Sequence, residues 1–571
     1  MTRERRQFRA LMRLFAYRFF DTDIVSVRGD LSSLLAQFAA LLAALSLVLV
    51  MATAPKYAGL YQHLSTHQLG AAARGDQEFL ISTSMAMVGI FTLLLWDALF
   101  PDQRDCLILG VMPVDTRMIF LAKLAALASA LGLVIVAVNC FTGLICPFLI
   151  VRDAAGLWTM LRSFAAYWVV IVLASVFVFL LLIGLQGAAL QLLPHGGFLR
   201  WSSAIQMTSF FAILALYFLT PPLANREALA MPGNRLWYVI VPSYWFFGLF
   251  QVMTGARDAA QVALAERSLA ALGLAALAAG VLYGLAYARQ MRRTTEQAGI
   301  VPSKRVRTPR RVLARFASRR APERAILSFI GRTLARSRQH RLLLAIYAGL
   351  GLAYVFSQLA YVLYHFRANA FGAVEGREQT ALGIPLILLF FLVIGLRVSF
   401  SIPVELRANW LFRLTDPFGG GAYLAASRKT LLLSALAPVL ILSAPVYLAI
   451  WPWPRAAAHV AFLTVFGLLI IELALTGFAK VPFTCSYLPG RANLKIMFGV
   501  YWGLLIIVSE LVTQIENQAL REGYGKLMAV TIGAWLVAAY RSRGAHARIP
   551  SLTFEEQPEP AVVGLGLSAQ G

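Results

Sequence analysis

Long apolar runs recur along the whole chain and are cut at intervals by short polar or basic segments. Windows such as residues 31–53, 164–193 and 430–450 carry almost no charge. At a rise of 1.5 Å per residue, about 20 such residues cross the hydrocarbon core of a bilayer. In lipid each backbone N–H and C=O must find a partner inside its own segment, which selects helices. A β-barrel would instead show short strands of alternating hydrophobicity. Twelve spans are expected. The first six are 31–53, 79–100, 118–150, 164–193, 198–219 and 269–287. The second six are 342–364, 382–402, 430–450, 457–487, 496–512 and 523–540. The stretch 236–252 is also apolar, but it is short and holds Pro242, and it reads as a re-entrant or interfacial piece.

The expected fold is therefore an all-α polytopic membrane protein, with about twelve transmembrane helices as two pseudo-symmetric six-helix halves. Its parts are an amphipathic interfacial N-terminal helix (1–30), a first six-span half (31–288), a basic cytoplasmic linker (289–323), a second six-span half with its own interfacial helix (324–541) and a disordered cytoplasmic tail (542–571). Duplication is read from a motif repeated after the fourth and tenth spans. Leu193-Pro194 is followed by Leu199-Arg200, and Leu488-Pro489 by Leu494-Lys495, so both places read L-P-x-x-x-x-L-[RK]. The two preceding spans are expected to be equally long.

Composition strengthens the membrane reading. The 571 residues are 59% hydrophobic and only 14% charged, where a soluble domain carries about 25% charged residues. The net charge of +24, from 51 Lys+Arg against 27 Asp+Glu, raises nucleic acid as a partner. The distribution argues against it, because the basic residues gather in loops at alternate ends of the spans, as cytoplasmic loops beside anionic lipid do. With the N-terminus inside, Arg3, Arg5, Arg6, Arg9 and Arg13, the 289–341 stretch, Arg428, Lys429 and the 541–548 end all fall in the cytoplasm. Both termini are expected there. Cys106, Cys140, Cys146 and Cys485 form no CxxC pair and read as small apolar residues. No cleavable signal peptide is read, and the absence of an N-x-[ST] sequon fits a bacterial source.

Two segments are amphipathic at helical spacing. Phe8, Leu11, Met12, Phe15 and Phe19 oppose Arg5, Arg9 and Arg13, and Ile326, Ile330 and Leu334 oppose Arg324, Arg332 and Arg336. Such helices lie in the headgroup region with their apolar residues inserted. Each is either a plain anchor or an element that transmits movement at the cytoplasmic surface. The loop after the second span holds Arg104, Asp105, Pro113, Asp115 and Arg117, and the loop after the eighth holds Glu405, Arg407, Trp410, Arg413 and Asp416. Each mixes charge with exposed apolar side chains and is followed by a lysine entering the next span, Lys123 or Lys429. That is the chemistry of a protein-docking surface, or of an ordinary interfacial loop.

The order of amphipathic helix, two spans, short charged helix with a proline turn, and a span entered near a lysine resembles the type 2 permeases of ABC exporters. The resemblance covers most of residues 1–290 and, more faintly, 324–541. It implies two permease units fused in one chain, with the loops after spans two and eight as coupling helices for a separate ABC ATPase subunit in two copies. It also matches 236–252, with Pro242-Ser243-Tyr244-Trp245-Phe246, to a re-entrant hairpin before the sixth span. The second half departs from the pattern. It has no room for that hairpin, and its loop ends in Asp416-Pro417 followed by Gly419, Gly420 and Gly421. The chain holds no G-x-x-x-x-G-K-[ST], so ATP and Mg would sit on the partner and no cofactor is expected here.

Glu472, inside an apolar run, is the polar residue that stands out within the expected spans. A carboxyl at the bilayer midplane is costly and defaults to a functional hypothesis. It would face a substrate or proton path, or be a protonated acid hydrogen-bonded to Gln186 or another helix. Asp97, Lys123, Arg397 and Glu510 lie near span ends and read as snorkelling. One rival is a secondary transporter of six-plus-six architecture, and another is a non-transporting scaffold. An enzyme is disfavoured, because no HExxH, G-x-S-x-G or clustered acid–base set is present. Only His63 and His67 lie four apart, in an expected outside loop. The substrate leaves no trace in the sequence.

Overall fold

The computed structural model describes residues 3–20, 31–63, 66–96, 98–99, 114–149, 156–193, 195–220, 234–296, 320–367, 374–404, 412, 420–476, 478, 480–484 and 494–547. Among these residues every regular element is helical, and nine helices are long and apolar enough to cross a membrane. The protein is an all-α polytopic membrane protein. Its chain divides into two compact units, Met1–Ser303 and Lys304–Gly571.

The first unit comprises α1 (Arg3–Phe20), α2 (Leu31–His63), α3 (Thr66–Leu94), α4 (Thr116–Leu149), α5 (Gly156–Leu192), α6 (His195–Leu219), α7 (Arg235–Ile240), α8 (Pro242–Thr254) and α9 (Ala259–Glu296). Five of the nine spans lie in α3, α4, α5, α6 and α9, and in α2 the apolar stretch among the described residues is Ala39–Pro55. The segment expected to be re-entrant is two helices broken at Val241, with Pro242 opening α8. Proline suits a first helical turn because its missing N–H would be unpaired there anyway. With 13 residues, α8 reaches about 20 Å, too short for a bilayer core. It turns through the left-handed Gly255 (φ 111°) into α9. Gly248 lets the two helices touch, since a Cβ there would come within 3.0 Å of the Gln261 carbonyl oxygen. Tyr244, Phe246, Phe247 and Phe250 are thereby sealed in the core.

The second unit comprises α10 (Ala321–Arg336), α11 (Arg338–Arg367), α12 (Val374–Ser399), α13 (Gly420–Leu431), a π-helical turn (Leu432–Leu436), α14 (Ala437–Ile450), α15 (Trp453–Ala474), α16 (Leu494–Glu522) and α17 (Tyr524–Ala547). The π turn immediately precedes Pro438, whose ring would clash with the carbonyl one turn back in a regular helix. Four spans lie in α11, α12, α13–α14 and α15. Two more were expected in α16 and α17. Both are helical, and neither is among the nine found in the described residues. Only Gly523 (φ 121°) separates them, so this unit has no helical hairpin like α7–α8 before its last helix.

Several boundaries differ from the sequence reading. Helix α9 runs to Glu296 and α10 begins at Ala321, which trims the expected linker at both ends. His63 closes α2 and His67 lies in the first turn of α3, so neither occupies the loop expected there. The largest change concerns the expected tenth span, 457–487. Helix α15 stops at Ala474 after 22 residues, whereas α5 runs for 37. The equal lengths used as support for duplication do not hold. Thr476-Gly477, Lys480 and Pro482 supply the reason: glycine favours a helix end and proline cannot continue one.

Candidate functional site

Each expected docking loop is entered from a helix end that its unit ties down, and the two units do this with different chemistry. In the first unit the chain leaves α3 at Leu94 and turns through Leu95, Trp96 and Leu99. Carbonyls at a helix end lack intrahelical donors and need partners from elsewhere. Three other helices reach the carbonyls here. Gln206 of α6 donates Nε2 to the Leu93 oxygen at 2.7 Å, Gln186 of α5 donates Nε2 to the Trp96 oxygen at 2.7 Å, and the Tyr283 hydroxyl of α9 donates to the Leu99 oxygen at 2.6 Å. The Trp96 indole in turn donates to Ser202 Oγ at 2.9 Å. Trp96 and Leu99 are fully buried, as are Gln186 and Gln206 at 2% and 3% exposure.

In the second unit the corresponding junction follows α12. The backbone N–H of Phe483 donates to the Phe400 oxygen at 2.9 Å, and the Val404 N–H donates to the Phe483 oxygen at 3.1 Å. His340 Nε2 lies 3.0 Å from the Ile402 oxygen, with Ser337 Oγ 2.7 Å from its Nδ1. Phe483 holds φ at 68°, which is uncommon for a bulky residue. Its ring meets Phe329, His340 and Phe400 at centroid distances of 6.0, 4.8 and 5.7 Å. Phe329 also meets Phe412, from the expected docking loop, at 5.3 Å.

The helix that follows each loop is held as well. Asp115 is exposed, and its Oδ1 accepts the Arg117 N–H at 3.2 Å, capping the start of α4. Part of the apolar face of α1 packs on protein. Leu11 and Phe15 are 8% and 2% exposed and pack in one core with Ile119, Ala122 and Ala126 of α4. Burying a phenylalanine is worth about 1.5–3 kcal/mol, which favours the protein surface over a partly wet interface. Arg5, Arg6, Arg9 and Arg13 remain exposed on the other faces. The second amphipathic helix repeats the arrangement: Leu327, Ile330 and Leu334 of α10 are buried, and α10 packs on α13.

The two entering lysines both meet these helices. The Lys123 ammonium lies 5.6 Å from the Phe15 ring centroid, and Lys429 Nζ lies 2.6 Å from Glu323 Oε2. Lys123 is 3% exposed and so is not a snorkelling residue. Arg397, also expected to snorkel, instead donates to the Ala474 oxygen at 3.0 Å and to Ser401 Oγ at 2.9 Å, and covers the Phe478 ring at 4.6 Å. Glu510 is exposed and accepts from Gln379 at 2.7 Å.

Glu472 lies in the last turn of α15, not in the middle of a long span. Arg428 Nη2 donates to its Oε2 at 2.8 Å, and Nε lies 2.6 Å from Oε1. A carboxylate near a helix C-terminus faces the negative end of the macrodipole, and the guanidinium offsets that repulsion. Gln186, the other partner expected for it, donates its amide to the Trp96 carbonyl. A further acid–base pair went unnoticed in the sequence: His459 Nδ1 lies 2.6 Å from Glu516 Oε1, with both side chains almost wholly buried. Tyr447 and Trp451 flank the imidazole at 4.4 and 5.8 Å.

Arg104, Asp105, Pro113, Glu405, Arg407, Trp410, Arg413, Asp416 and Asp97, and the tail beyond residue 547, lie outside the described residues. Among the described residues no group of three or more His, Cys, Asp or Glu could hold a metal. No family model, no curated protein and no solved structure matches this chain.

Proposed function

We propose that this chain is the membrane-spanning permease component of an ATP-driven ABC exporter, working in a bacterial inner membrane with both termini in the cytoplasm. A separate ATPase subunit, in two copies, docks on the loops 101–117 and 405–417 and supplies the energy. One observation carries the reading. Both loops are flanked by structure fixed to the bundle, with a clamped helix end before and an amphipathic helix holding the next span behind. A loop built in this way moves its bundle when it is pushed, as inward- and outward-open exchange requires. A free interfacial loop has no need of three buried carbonyl caps.

The test is purification of the full chain from its native membrane in mild detergent, with identification of accompanying proteins and assay of ATP hydrolysis. The expected result is a stoichiometric ATPase that is lost on charge reversal at Arg104, Asp105, Glu405 and Arg407. A chain that comes out alone and supports no hydrolysis overturns the reading. It would favour a secondary transporter of six-plus-six architecture, for which the buried His459–Glu516 pair supplies an acid–base group at a helix interface.

A further inference from the structure

We propose that Phe412, Phe329 and Phe483 form a mechanical link between the second docking loop and the end of α15, with Phe483 as the positioning residue. The proposal rests on the docking role given to 405–417. The contacts form an unbroken series. Phe412 packs on Phe329, Phe329 on Phe483, and Phe483 on Phe400, with centroid distances of 5.3, 6.0 and 5.7 Å. Phe400 continues to Phe478 at 6.1 Å, and Phe478 lies beneath the Arg397 guanidinium, which holds the Ala474 carbonyl at the last residue of α15. Two residues earlier stands Glu472, paired with Arg428 of α13.

Phe483 suits this role through its backbone as well as its ring. A positive φ at a phenylalanine costs free energy and persists only where its surroundings over-determine it. Here the two backbone bonds to Phe400 and Val404 and the three ring contacts do so. Removing part of that support lets the segment relax toward an ordinary conformation and gives up its grip on the end of α12. In the proposed link the segment has this strained conformation and a relaxed one open to it, as coupling between distant sites requires. Displacement of Phe412 by a docking partner would reach α15 by releasing or tightening Phe483.

Hydrogen exchange on the full chain in lipid nanodiscs tests the link without a partner. Phe412→Ala is expected to speed exchange of the amides of Val481, Phe483 and Thr484 by at least about tenfold, because local opening sets their protection. Phe412→Tyr should restore the slow rate, and exchange in α8 of the first unit should stay unchanged. Equal rates at 481–484 in wild type and Phe412→Ala overturn the proposal, as does acceleration spread evenly over both units. Phe483→Leu supplies a second variant: it keeps the backbone bonds possible while removing the ring, and should abolish the response to Phe412→Ala. In the complex with a co-purified ATPase, a non-hydrolysable ATP analogue should alter exchange at 475–484 in wild type and not in Phe412→Ala. If no ATPase accompanies the chain, the permease reading fails, while the Phe412 result still decides the link.

Discussion

The two units handle buried polarity in different ways. In the first, hydrogen bonds between neutral groups predominate, although it also buries Lys123 and Glu78, which accepts from Ser243 Oγ at 2.5 Å. Besides the carbonyl caps on α3, Ser84 donates to Asn139 Oδ1 at 2.8 Å, and Tyr167 donates to the same oxygen at 3.1 Å and to Thr142 at 3.3 Å. The second adds ion pairs, Arg428 with Glu472 and the partly exposed Lys429 with Glu323, and a buried hydrogen bond between His459 and Glu516. Neutral networks hold their geometry through hydrogen-bond direction and cost little when every member is satisfied. Buried ion pairs repay a large desolvation cost only while both partners are in place. The second therefore contains a contact, Arg428 with Glu472, whose loss changes its energy sharply.

The largest effect is expected at Arg428 and Glu472. Glu472→Leu or Arg428→Leu alone leaves one charge buried without its partner and should destabilise the chain by about 3–5 kcal/mol. The double replacement should recover most of that loss. Thermal denaturation in detergent micelles of the two single variants and the double variant reads this directly. If the double variant is as unstable as the singles, the pair is not the isolated ionic contact on which the contrast between the units depends.

The first unit should respond more weakly. Tyr283→Phe removes the donor to the Leu99 carbonyl and leaves that oxygen buried and unpaired, at a cost of about 1–2 kcal/mol. Gln186→Leu uncaps the Trp96 carbonyl, but it also removes the buried Gln186 Oε1, which has no partner. Its net cost should be smaller, about 1 kcal/mol. The same denaturation assay ranks them. A loss at Gln186 larger than at Tyr283 would mean that the amide does more than cap α3.

The apolar runs made the all-helical membrane fold legible, and the helical spacing of Leu11, Phe15, Ile330 and Leu334 disclosed the two amphipathic helices. What those helices face was not legible, since an apolar stripe fits lipid and protein equally well and only the packed bundle decides between them. The end of α15 was readable in principle. Averaged hydropathy over 457–487 concealed Gly477, Lys480 and Pro482, and so moved Glu472 from the end of a helix to the centre of a longer one. The carbonyl caps and the His459–Glu516 pair could not have been read, because their members lie 57 to 184 positions apart. Single Gln, Tyr and His residues within apolar helices carry no local sign of a partner.

The smallest effect should appear at the two entering lysines, where the units come closest to repeating each other. Lys429 is one-third exposed, and its partner Glu323 has a second cation, Arg320, at 3.9 Å. Lys429→Met should therefore cost only about 0.5–1 kcal/mol, the range of a solvent-screened pair. Lys123 lies over the Phe15 ring, and a methionine side chain keeps favourable contact with such a ring through its thioether. Lys123→Met should cost less than Lys429→Met. Raising the salt concentration in the melting buffer should narrow the gap between wild type and Lys429→Met and move Lys123→Met less, because Lys123 is buried and screening acts mainly on exposed charge. Equal salt responses would mean that both lysines act through charge, and that at this one position the two units share their chemistry as well as their layout.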